Sequence, residues 1–254
     1  MVPNMQLVKE FCEEEGLDFR IVDKLGNLAE VKCGGKPYFF TYTTTPFNRE
    51  DVQHICNDKF LTYELLSTEH LMPETRRYLR PDLDPTWHDT IEFSSIADIV
   101  TDIQKNFSFP FVVKMNAGSL GRNIFKCENE NQVEKAVAKI FKEDWALLIQ
   151  KLIQKQKEFR VLVVNNSVEL AYTKGGADFL AKGDKTFKEI KDFLAPLHKH
   201  INLGWAGLDV ICDNKGKFWL IEINTKPSLI SAIKAGKADL LKPLYKKAFS
   251  EILK

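Results

Sequence analysis

Hydrophobic positions along the chain change between helical and strand spacing. Met5, Val8, Phe11 and Cys12 lie three or four residues apart or side by side, which predicts a helix over residues 4–15. Comparable spacing predicts further helices over residues 48–70, 94–107, 131–141, 186–200 and 237–253. Asn48 is the predicted N-cap of the second helix, and Ser94 or Ser95 that of the third, because short polar side chains accept bonds from free amides there.

Short apolar or alternating runs between these helices predict ten strands. They are residues 18–23, 28–33, 37–44, 109–115, 123–127, 145–153, 158–165, 168–174, 205–212 and 217–224. Most neighbouring strands are joined by short turns such as "GGK", "NNS" and "DNKG". The pattern therefore predicts an α+β fold with largely antiparallel sheets in two lobes that divide near Gln150, and argues against a doubly wound parallel sheet. The proline-rich stretch over 78–90 is predicted to be a loop.

Composition narrows the class of protein. The 254 residues are 44% apolar and 28% charged, which is typical of a soluble globular protein. A net charge of +1 gives no indication of a nucleic-acid or membrane partner. The N-terminus has no apolar signal segment, and five scattered cysteines without a CxxC pair are typical of reduced thiols. We therefore expect a cytoplasmic location.

The strand "KFWLIEIN" places two oxygen-bearing side chains in an apolar run. Glu222 and Asn224 are two residues apart and therefore lie on the same side of the strand. If "DNKG" is the turn, with Cys212 opposite Lys217, Asp209 faces Leu220 and is a diagonal neighbour of Glu222 on one face. Three oxygen donors without nitrogen or sulfur suit Mg²⁺ or Mn²⁺. The alternative is a solvated face of an edge hairpin, and a slip of one residue in register would remove the metal hypothesis.

A second stretch, "FPFVVKMNAGSLGRNIF", ends an apolar strand with Lys114 and continues into a loop with two glycines. Backbone amides without bulky side chains suit a loop over phosphates. The loop is not a Walker A motif and does not fit G-x-G-x-x-G. The alternative is an ordinary hairpin with a glycine turn.

A third stretch, "LLIQKLIQKQKEFRVLVV", interrupts a strand with a polar connector and restarts it with Glu158 and Arg160 on one face. A charged pair at a solvated strand start would explain it equally well. We expect the five histidines to be structural residues or surface residues, because none lies in an HExxH motif.

The order of these pieces resembles the ATP-grasp superfamily: a strand with lysine and a glycine loop, a polar connector, then "ExR", "GxD" and "ExN". The resemblance covers about residue 55 to the end. It is strongest to the ATP-grasp part of cyanophycin synthetase and related glutathione-forming ligases, to which "NDKFLTYELLSTEHLMPET" and the stretch after "EFRVLVVNN" are similar. The resemblance implies a short N-terminal α/β segment (1–54), a small lobe with a glycine flap (55–151) and a large lobe with a metal site (152–254).

The resemblance also implies roles for individual residues. Lys59 and Lys114 would hold the ATP phosphates, under a flap formed by Gly118, Ser119 and Gly121. Gln150, Lys151 and Ile153 would bracket adenine, and Glu158 would bind the ribose. Asp209, Glu222 and Asn224 would hold two Mg²⁺ ions, with Mn²⁺ as the alternative. Arg160 would position the acceptor carboxylate or the transferring phosphoryl group, with Lys174 as a second cationic residue of the catalytic set.

The chain departs from the family pattern at several points. Lys174 stands where relatives have an arginine, and lysine keeps the charge but lacks the bidentate fork. The Gly-Asp-Gly element is "GDK", and "ExNxxPG" is "EINTKPS". The domain that precedes the ATP-grasp part in relatives has at most 55 residues here.

The implied activity is that of a carboxylate–amine ligase, which forms a peptide or amide bond through an acyl phosphate and releases ADP and phosphate. The substrates would be small-molecule or peptide carboxylates and amines, and the protein could form a homo-oligomer. Two alternatives stay open: an ATP-grasp enzyme with another acceptor, such as a kinase or thiol ligase, and a nucleotide-binding partner or regulatory module with weakened catalysis.

Overall fold

The computed structural model describes residues 1–69, 71–118, 121–175 and 178–252. These residues pack into two compact units. The first unit is discontinuous and combines Met1–Cys56 with Lys155–Lys254, and the second is Asn57–Gln154. The division into functional lobes at 54/55 and 151/152 stays a prediction. The packing itself groups the N-terminal segment with the C-terminal part of the chain.

The helices follow the predicted apolar spacing closely. They are α1 (Pro3–Glu15), α2 (Glu50–Asn57), α3 (Lys59–Leu66), α4 (Ile96–Asn106), α5 (Glu130–Ile140), α6 (Lys185–Leu194), α7 (Ile230–Lys234) and α8 (Ala238–Ile252). Short 3₁₀ turns lie at Ser67–Glu69, Pro85–Thr90 and Ala195–Lys199. No helix in the described part of the chain is both long enough and apolar enough to span a membrane.

The strands form three antiparallel sheets. They are β1 (Asp18–Ile21), β2 (Leu28–Cys33), β3 (Lys36–Thr41), β4 (Thr75–Leu79), β5 (Phe111–Met115), β6 (Ile124–Cys127), β7 (Ala146–Lys151), β8 (Lys155–Val164), β9 (Ser167–Thr173), β10 (Phe179–Leu180), β11 (Trp205–Asp213) and β12 (Phe218–Asn224). The sheet orders are β1-β2-β3, β10-β9-β8-β11-β12 and β4-β7-β5-β6. The predicted α+β class with antiparallel sheets is confirmed.

The first unit is built around the five-stranded sheet. One face of this sheet packs against α6, where Phe218 of β12 contacts both Phe159 of β8 and Phe193 of α6. Because side chains alternate along a strand, the residues between those apolar positions point to the other face. That other face carries the charged side chains described below.

The N-terminal segment shares the core of this unit. Phe11 of α1 and Phe40 of β3 pack in one cluster with Trp205 of β11 and with Tyr245 and Phe249 of α8. These aromatic side chains are all buried. The three-stranded sheet and α1 therefore complete the core of the unit that holds β11.

The second unit has its own core. The helices α4 and α5 cover one face of the four-stranded sheet, where Tyr78, Ile99, Phe111, Val137 and Ile149 are buried together. The opposite face of that sheet carries polar side chains at its centre, which are described below.

Several elements differ from the prediction. The short elements α7 and β10 were not predicted, and Asn48, the predicted N-cap, instead accepts hydrogen bonds from the amides of Gly204 and Trp205. The expected helix over 48–70 is interrupted, because Asp58 leaves the helical conformation and caps α3 by accepting bonds from the amides of Phe60 (2.9 Å) and Leu61 (2.8 Å). The end of that helix at His70 lies outside the described residues. The loop predicted from residue 78 is preceded by a strand that the pattern missed, β4, which pairs with β7.

Candidate active site

Asp209 and Glu222 lie directly opposite each other on β11 and β12. The predicted register, with Cys212 opposite Lys217 and Asp209 opposite Leu220, is wrong at two points. At the turn Cys212 pairs with Phe218, and further along Ile221 forms a bulge between Leu220 and Glu222. Near the turn, Val210 pairs with Leu220, so Leu220 lies on the face that α6 covers. The bulge restores Glu222 to the face of Asp209, and the two carboxylates share one face at a shorter cross-strand separation than expected.

Arg160 continues the same row of side chains on the neighbouring strand. It pairs with Asp209 across β8 and β11, and its Nε lies 3.1 Å from Asp209 Oδ1. With its amide oriented to satisfy both neighbours, Asn224 donates from Nδ2 to Glu222 Oε1 (2.9 Å) and accepts at Oδ1 from Arg160 Nη1 (3.3 Å). Arginine, two carboxylates and an amide thus form one contiguous group.

Gly207 leaves room for the Arg160 side chain. It pairs with Asn224, and a Cβ at this position would lie 2.7 Å from Pro227 Cβ and 3.1 Å from Arg160 Nη1. The glycine of the "GxD" motif is therefore required by the close approach of the guanidinium and of the loop that follows β12.

Lys174 joins this group from the end of β9. Its Nζ contacts Glu158 Oε1 and lies 3.2 Å from Asp209 Oδ2, while Lys155 Nζ lies 2.7 Å from Glu158 Oε2. Partial burial raises the pKa of Glu158, but the hydrogen bonds from Lys155 and Lys174 outweigh it, so the pKa lies below its usual range. Partial burial lowers the pKa of Lys174, but Glu158 and Asp209 outweigh it and raise the pKa above its usual range. Both groups are charged at neutral pH.

The acidic pair fits a hard divalent cation. Two carboxylates opposite each other repel, and a cation between them removes that penalty. Asp209 is only 6% exposed, and its Oδ1 makes no hydrogen bond despite its ion pair with Arg160. In the described ranges, no group of three or more His, Cys, Asp and Glu side chains could hold a metal ion. The candidate set therefore consists of two carboxylates and one amide, Asp209, Glu222 and Asn224, which are donors that Mg²⁺ and Mn²⁺ accept.

A buried chain of hydrogen bonds holds Lys114 in the second unit. Its Nζ donates to Gln150 Oε1 (2.9 Å), Gln150 Nε2 donates to Thr75 Oγ1 (2.8 Å), and Thr75 Oγ1 donates to the carbonyl of Pro73 (2.9 Å). Lys114 and Gln150 lie on neighbouring strands, on the sheet face away from α4 and α5. The side chain of Gln150, expected near adenine, is thus a partner of Lys114 in this structure.

Lys59 is held at the loop that follows β5. Its Nζ donates to the carbonyl of Gly118 (2.8 Å) and lies 3.5 Å from that of Asn116. Asn116 fixes the start of α3, because its Oδ1 accepts from the amide of Phe60 (3.0 Å) and its Nδ2 donates to Asp58 Oδ2 (2.7 Å). Both of these contacts of the Lys59 ammonium group are with carbonyl oxygens, which carry no net charge.

The remaining predicted residues are placed as follows. Gly118 and Gly121 have φ angles of +132° and +70°, which favour glycine, while Ser119 lies outside the described residues. Lys151 is exposed at the end of β7, and Ile153 is half-buried in the connector that follows. All of these belong to the second unit, and the charged group around Asp209 belongs to the first.

Sequence reasoning missed several residues that position these side chains. Three of them, Asp58, Thr75 and Asn116, hold Lys59, Lys114 and the start of α3 as described above. The fourth is Asp144, whose Oδ2 accepts a hydrogen bond from the amide of Ala117 (3.3 Å). A capping signal was present for Asp58, which directly precedes an apolar helical run. The others act across the sheet, and their roles leave no local signal.

The chain belongs to the RimK-like ATP-grasp family, since residues 57–247 match the RimK-like ATP-grasp domain of that family. It is 25% identical over 185 residues to the uncharacterized protein MG012 of Mycoplasma genitalium, covering 68% of this chain and 62% of that protein. It is also 25% identical over 205 residues to the glutathione biosynthesis bifunctional protein GshAB of Clostridium perfringens, covering 75% of this chain and 24% of that protein.

A solved structure shows the same fold. The D-alanine-D-alanine ligase from Coxiella burnetii superposes with a TM-score of 0.56 at 18% identity, covering 78% of this chain and 58% of the ligase. The fold is therefore the ATP-grasp fold. This chain spans less than two thirds of the length of each of these relatives.

Proposed function

We propose that this chain is an ATP-dependent carboxylate–amine ligase that forms a peptide or amide bond. The observation that carries the proposal is the direct pairing of Asp209 with Glu222, flanked by Asn224 and Arg160, on one sheet face of an ATP-grasp fold. An acidic, oxygen-only group next to fixed cations suits a metal-bound nucleotide. The ligases among proteins with the same fold support the reaction class.

The proposed chemistry proceeds through an acyl phosphate. A carboxylate oxygen of the first substrate attacks the γ-phosphorus of ATP, the bond to the β-γ bridging oxygen breaks, and ADP leaves. The amine of the second substrate then attacks the acyl carbon, loses a proton, and expels inorganic phosphate. Activation is needed because the carboxylate itself is a poor electrophile. Catalysis in such transfers is mostly positioning and charge stabilisation.

The residues of the charged group divide this work between them. Asp209, Glu222 and Asn224 would hold Mg²⁺, which we propose binds as two ions, with Mn²⁺ as the alternative. The metal, when bound, neutralises charge on the phosphate oxygens. Arg160 would orient the acceptor carboxylate or the transferring phosphoryl group, because its guanidinium is fixed over Gly207.

The nucleotide contacts complete the proposal. Lys59 and Lys114 would bind phosphates, and Gly118, Ser119 and Gly121 would cover them. For adenine, we propose Gln150, Lys151 and Ile153, and for the ribose Glu158. The hydrogen bonds of Gln150 and Glu158 to lysines mean that each would have to share or exchange partners when the nucleotide binds.

The test is release of ADP by the purified chain in the presence of Mg²⁺ and a panel of amino acids and short peptides. The ligase proposal expects ADP only when both a carboxylate and an amine are supplied, together with an amide product in the mass spectrum. ADP with a phosphorylated acceptor would favour a kinase, and ADP that requires a thiol would favour a thiol ligase. Binding of ATP without ADP release for any acceptor would favour the nucleotide-binding module.

Glu222→Gln is the variant that tests the metal assignment. We expect it to lower Mg²⁺-dependent turnover by about 10²-fold or more, because a charge that stabilises the transition state is lost. Its thermal unfolding should change little, since Glu222 is only half-buried. Glu169→Gln is the matched control on the same sheet, because the Glu169 carboxylate contacts Lys182 and Lys247 and does not belong to the proposed site. Equal turnover in Glu222→Gln and the unmodified chain would contradict the metal assignment.

A further inference from the structure

Both carboxylate oxygens of Asp209 face cationic side chains of this chain. Oδ1 lies 3.1 Å from Arg160 Nε, and Oδ2 lies 3.2 Å from Lys174 Nζ. The Asp209 side chain is only 8% exposed, and each of its two oxygens lies within 3.2 Å of a cationic group. In the proposed function Asp209 binds a divalent cation, and at least one of its oxygens must then exchange partners.

Arg160 is held in place more firmly than Lys174. Its side chain is 20% exposed, lies against Gly207, and donates to Asn224 Oδ1 at 3.3 Å. Its Nε lies 3.1 Å from Asp209 Oδ1, so the oxygen that remains for a metal ion is Oδ2, which Lys174 contacts. Arg160 is therefore the cation that stays.

Lys174 can leave Asp209 at little cost. Its side chain is 47% exposed, and its Nζ already contacts a second carboxylate, Glu158. The main chain stays anchored, because the Lys174 amide donates to the carbonyl of Glu158 at 2.8 Å. A lysine side chain has rotatable donors on a flexible stem, so the ammonium group can rotate towards Glu158 while the strand keeps its position.

We propose that Lys174 is a tethered counter-ion of Asp209, which neutralises this carboxylate in the absence of a divalent cation and is displaced when the cation binds. The inference rests on the proposed function, because it takes Asp209, Glu222 and Asn224 as the metal ligands. The amine and the metal ion compete for the same oxygen. Lys174 therefore weakens metal binding to the nucleotide-free protein and adds a second positive charge beside a buried carboxylate that Arg160 also contacts.

The same geometry accounts for a lysine at this position. An arginine would engage Asp209 or Glu158 with two parallel hydrogen bonds and would be harder to displace. A lysine neutralises Asp209 with a single donor.

The test is a titration of the nucleotide-free full chain with Mn²⁺, in which free Mn²⁺ is measured by its paramagnetic resonance signal at fixed pH and ionic strength. We expect Lys174→Met to bind Mn²⁺ about two- to fivefold more tightly than the unmodified chain, which is the range for a partly exposed ion pair. Lys174→Arg should bind no more tightly than the unmodified chain. Lys182→Met is the matched control, because Lys182 Nζ lies 2.6 Å from Glu169 Oε2 and does not contact Asp209.

The outcomes separate this inference from the proposed function. Mn²⁺ affinity that is unchanged or weaker in Lys174→Met, with binding lost in Glu222→Gln, would overturn the counter-ion alone. Absence of Mn²⁺ binding in all variants, or binding that Glu222→Gln leaves unchanged, would overturn the metal assignment and the counter-ion together. Circular dichroism of each variant excludes loss of folding as the cause.

Discussion

At the residue scale, the candidate site balances charges at short range. Glu158, Asp209 and Glu222 are interleaved with Lys174 and Arg160 on neighbouring strands. Each buried or half-buried carboxylate therefore has a donor nearby, which lowers the cost of its desolvation. The same arrangement makes single substitutions consequential, because removal of one member leaves its neighbour with an unbalanced charge.

Gln150 provides a residue-scale prediction in the second unit. Gln150→Leu removes the acceptor at 2.9 Å from Lys114 Nζ and the donor to Thr75 Oγ1, in surroundings where all three side chains are buried. We expect the free energy of unfolding to fall by about 1–3 kcal/mol, because two hydrogen bonds between buried side chains are lost. Urea denaturation of the purified variant and of the unmodified chain measures this change in the free energy of unfolding.

The control for this prediction is Gln6→Leu. Gln6 donates to Glu10 on the exposed side of α1, so the same chemical change there should alter the unfolding free energy by less than about 0.5 kcal/mol. Equal effects of the two substitutions would show that the Lys114–Gln150 bond contributes nothing specific.

At the scale of elements, the hairpin of β11 and β12 assembles the acidic pair through an irregularity. The Ile221 bulge changes which side chains of β12 face α6, so that apolar residues pack near the turn and oxygen donors face the charged side beyond it. A regular strand would have continued one alternation throughout. Because of the bulge, β12 contributes apolar side chains to the core and oxygen-bearing side chains to the polar site.

The connection between the N-terminal segment and β11 is the second feature at this scale. Asn48 accepts at Oδ1 from the amides of Gly204 (3.0 Å) and Trp205 (3.1 Å) and donates from Nδ2 to the carbonyl of Trp205 (2.6 Å). The side-chain amide of Asn48 therefore makes the donor and acceptor bonds to the start of β11 that a neighbouring strand would otherwise make. It holds the segment before α2 against the strand that carries Asp209.

Gly204→Ala tests this contact. A Cβ at residue 204 would lie 1.9 Å from the carbonyl oxygen of Phe47, a distance that requires the backbone to move. We expect a loss of about 3 kcal/mol or more in the free energy of unfolding, or failure to fold at all. Thermal and urea unfolding measure the loss.

Gly183→Ala is the matched control for that substitution. Its added Cβ would meet no atom within 4 Å, so its unfolding free energy should stay within about 0.5 kcal/mol of the unmodified chain. Equal stability of the two alanine variants would contradict the close approach of Phe47 to residue 204.

At the scale of the whole molecule, segments that are far apart in the sequence pack into one unit. The family match begins at residue 57, yet the core around Trp205 and Tyr245 is completed by Phe11 and Phe40. Residues 57–154, in contrast, form a continuous unit with a core of their own. The N-terminal segment is therefore a structural part of the unit that carries the acidic pair, whatever else it contributes.

Fragments of the chain test this organisation. Residues 57–154 alone should give a dispersed amide NMR spectrum and a cooperative unfolding transition, because their buried apolar surface stays intact. Residues 155–254 alone should aggregate or give a collapsed spectrum, because removal of 1–56 exposes the aromatic cluster around Tyr245. A well-dispersed spectrum from 155–254 alone would contradict a shared core.

The sequence by itself determined what local patterns encode. Apolar periodicity and turn residues specify the antiparallel α+β class, a hairpin of the strands that hold Asp209 and Glu222, and the common face of Glu222 and Asn224, because each depends on residues a few positions apart. The order of these pieces was enough to indicate the ATP-grasp superfamily, and the match over residues 57–247 confirms it.

Only the tertiary structure decided the contacts that join distant residues. The Ile221 bulge made Asp209 and Glu222 direct partners, Lys174 reached Asp209 from another strand, and Gln150 paired with Lys114. None of these leaves a local signal, because strand register and side-chain pairing depend on how whole elements pack. The chain thus encodes its candidate ligands locally, and its packing decides which charges they meet.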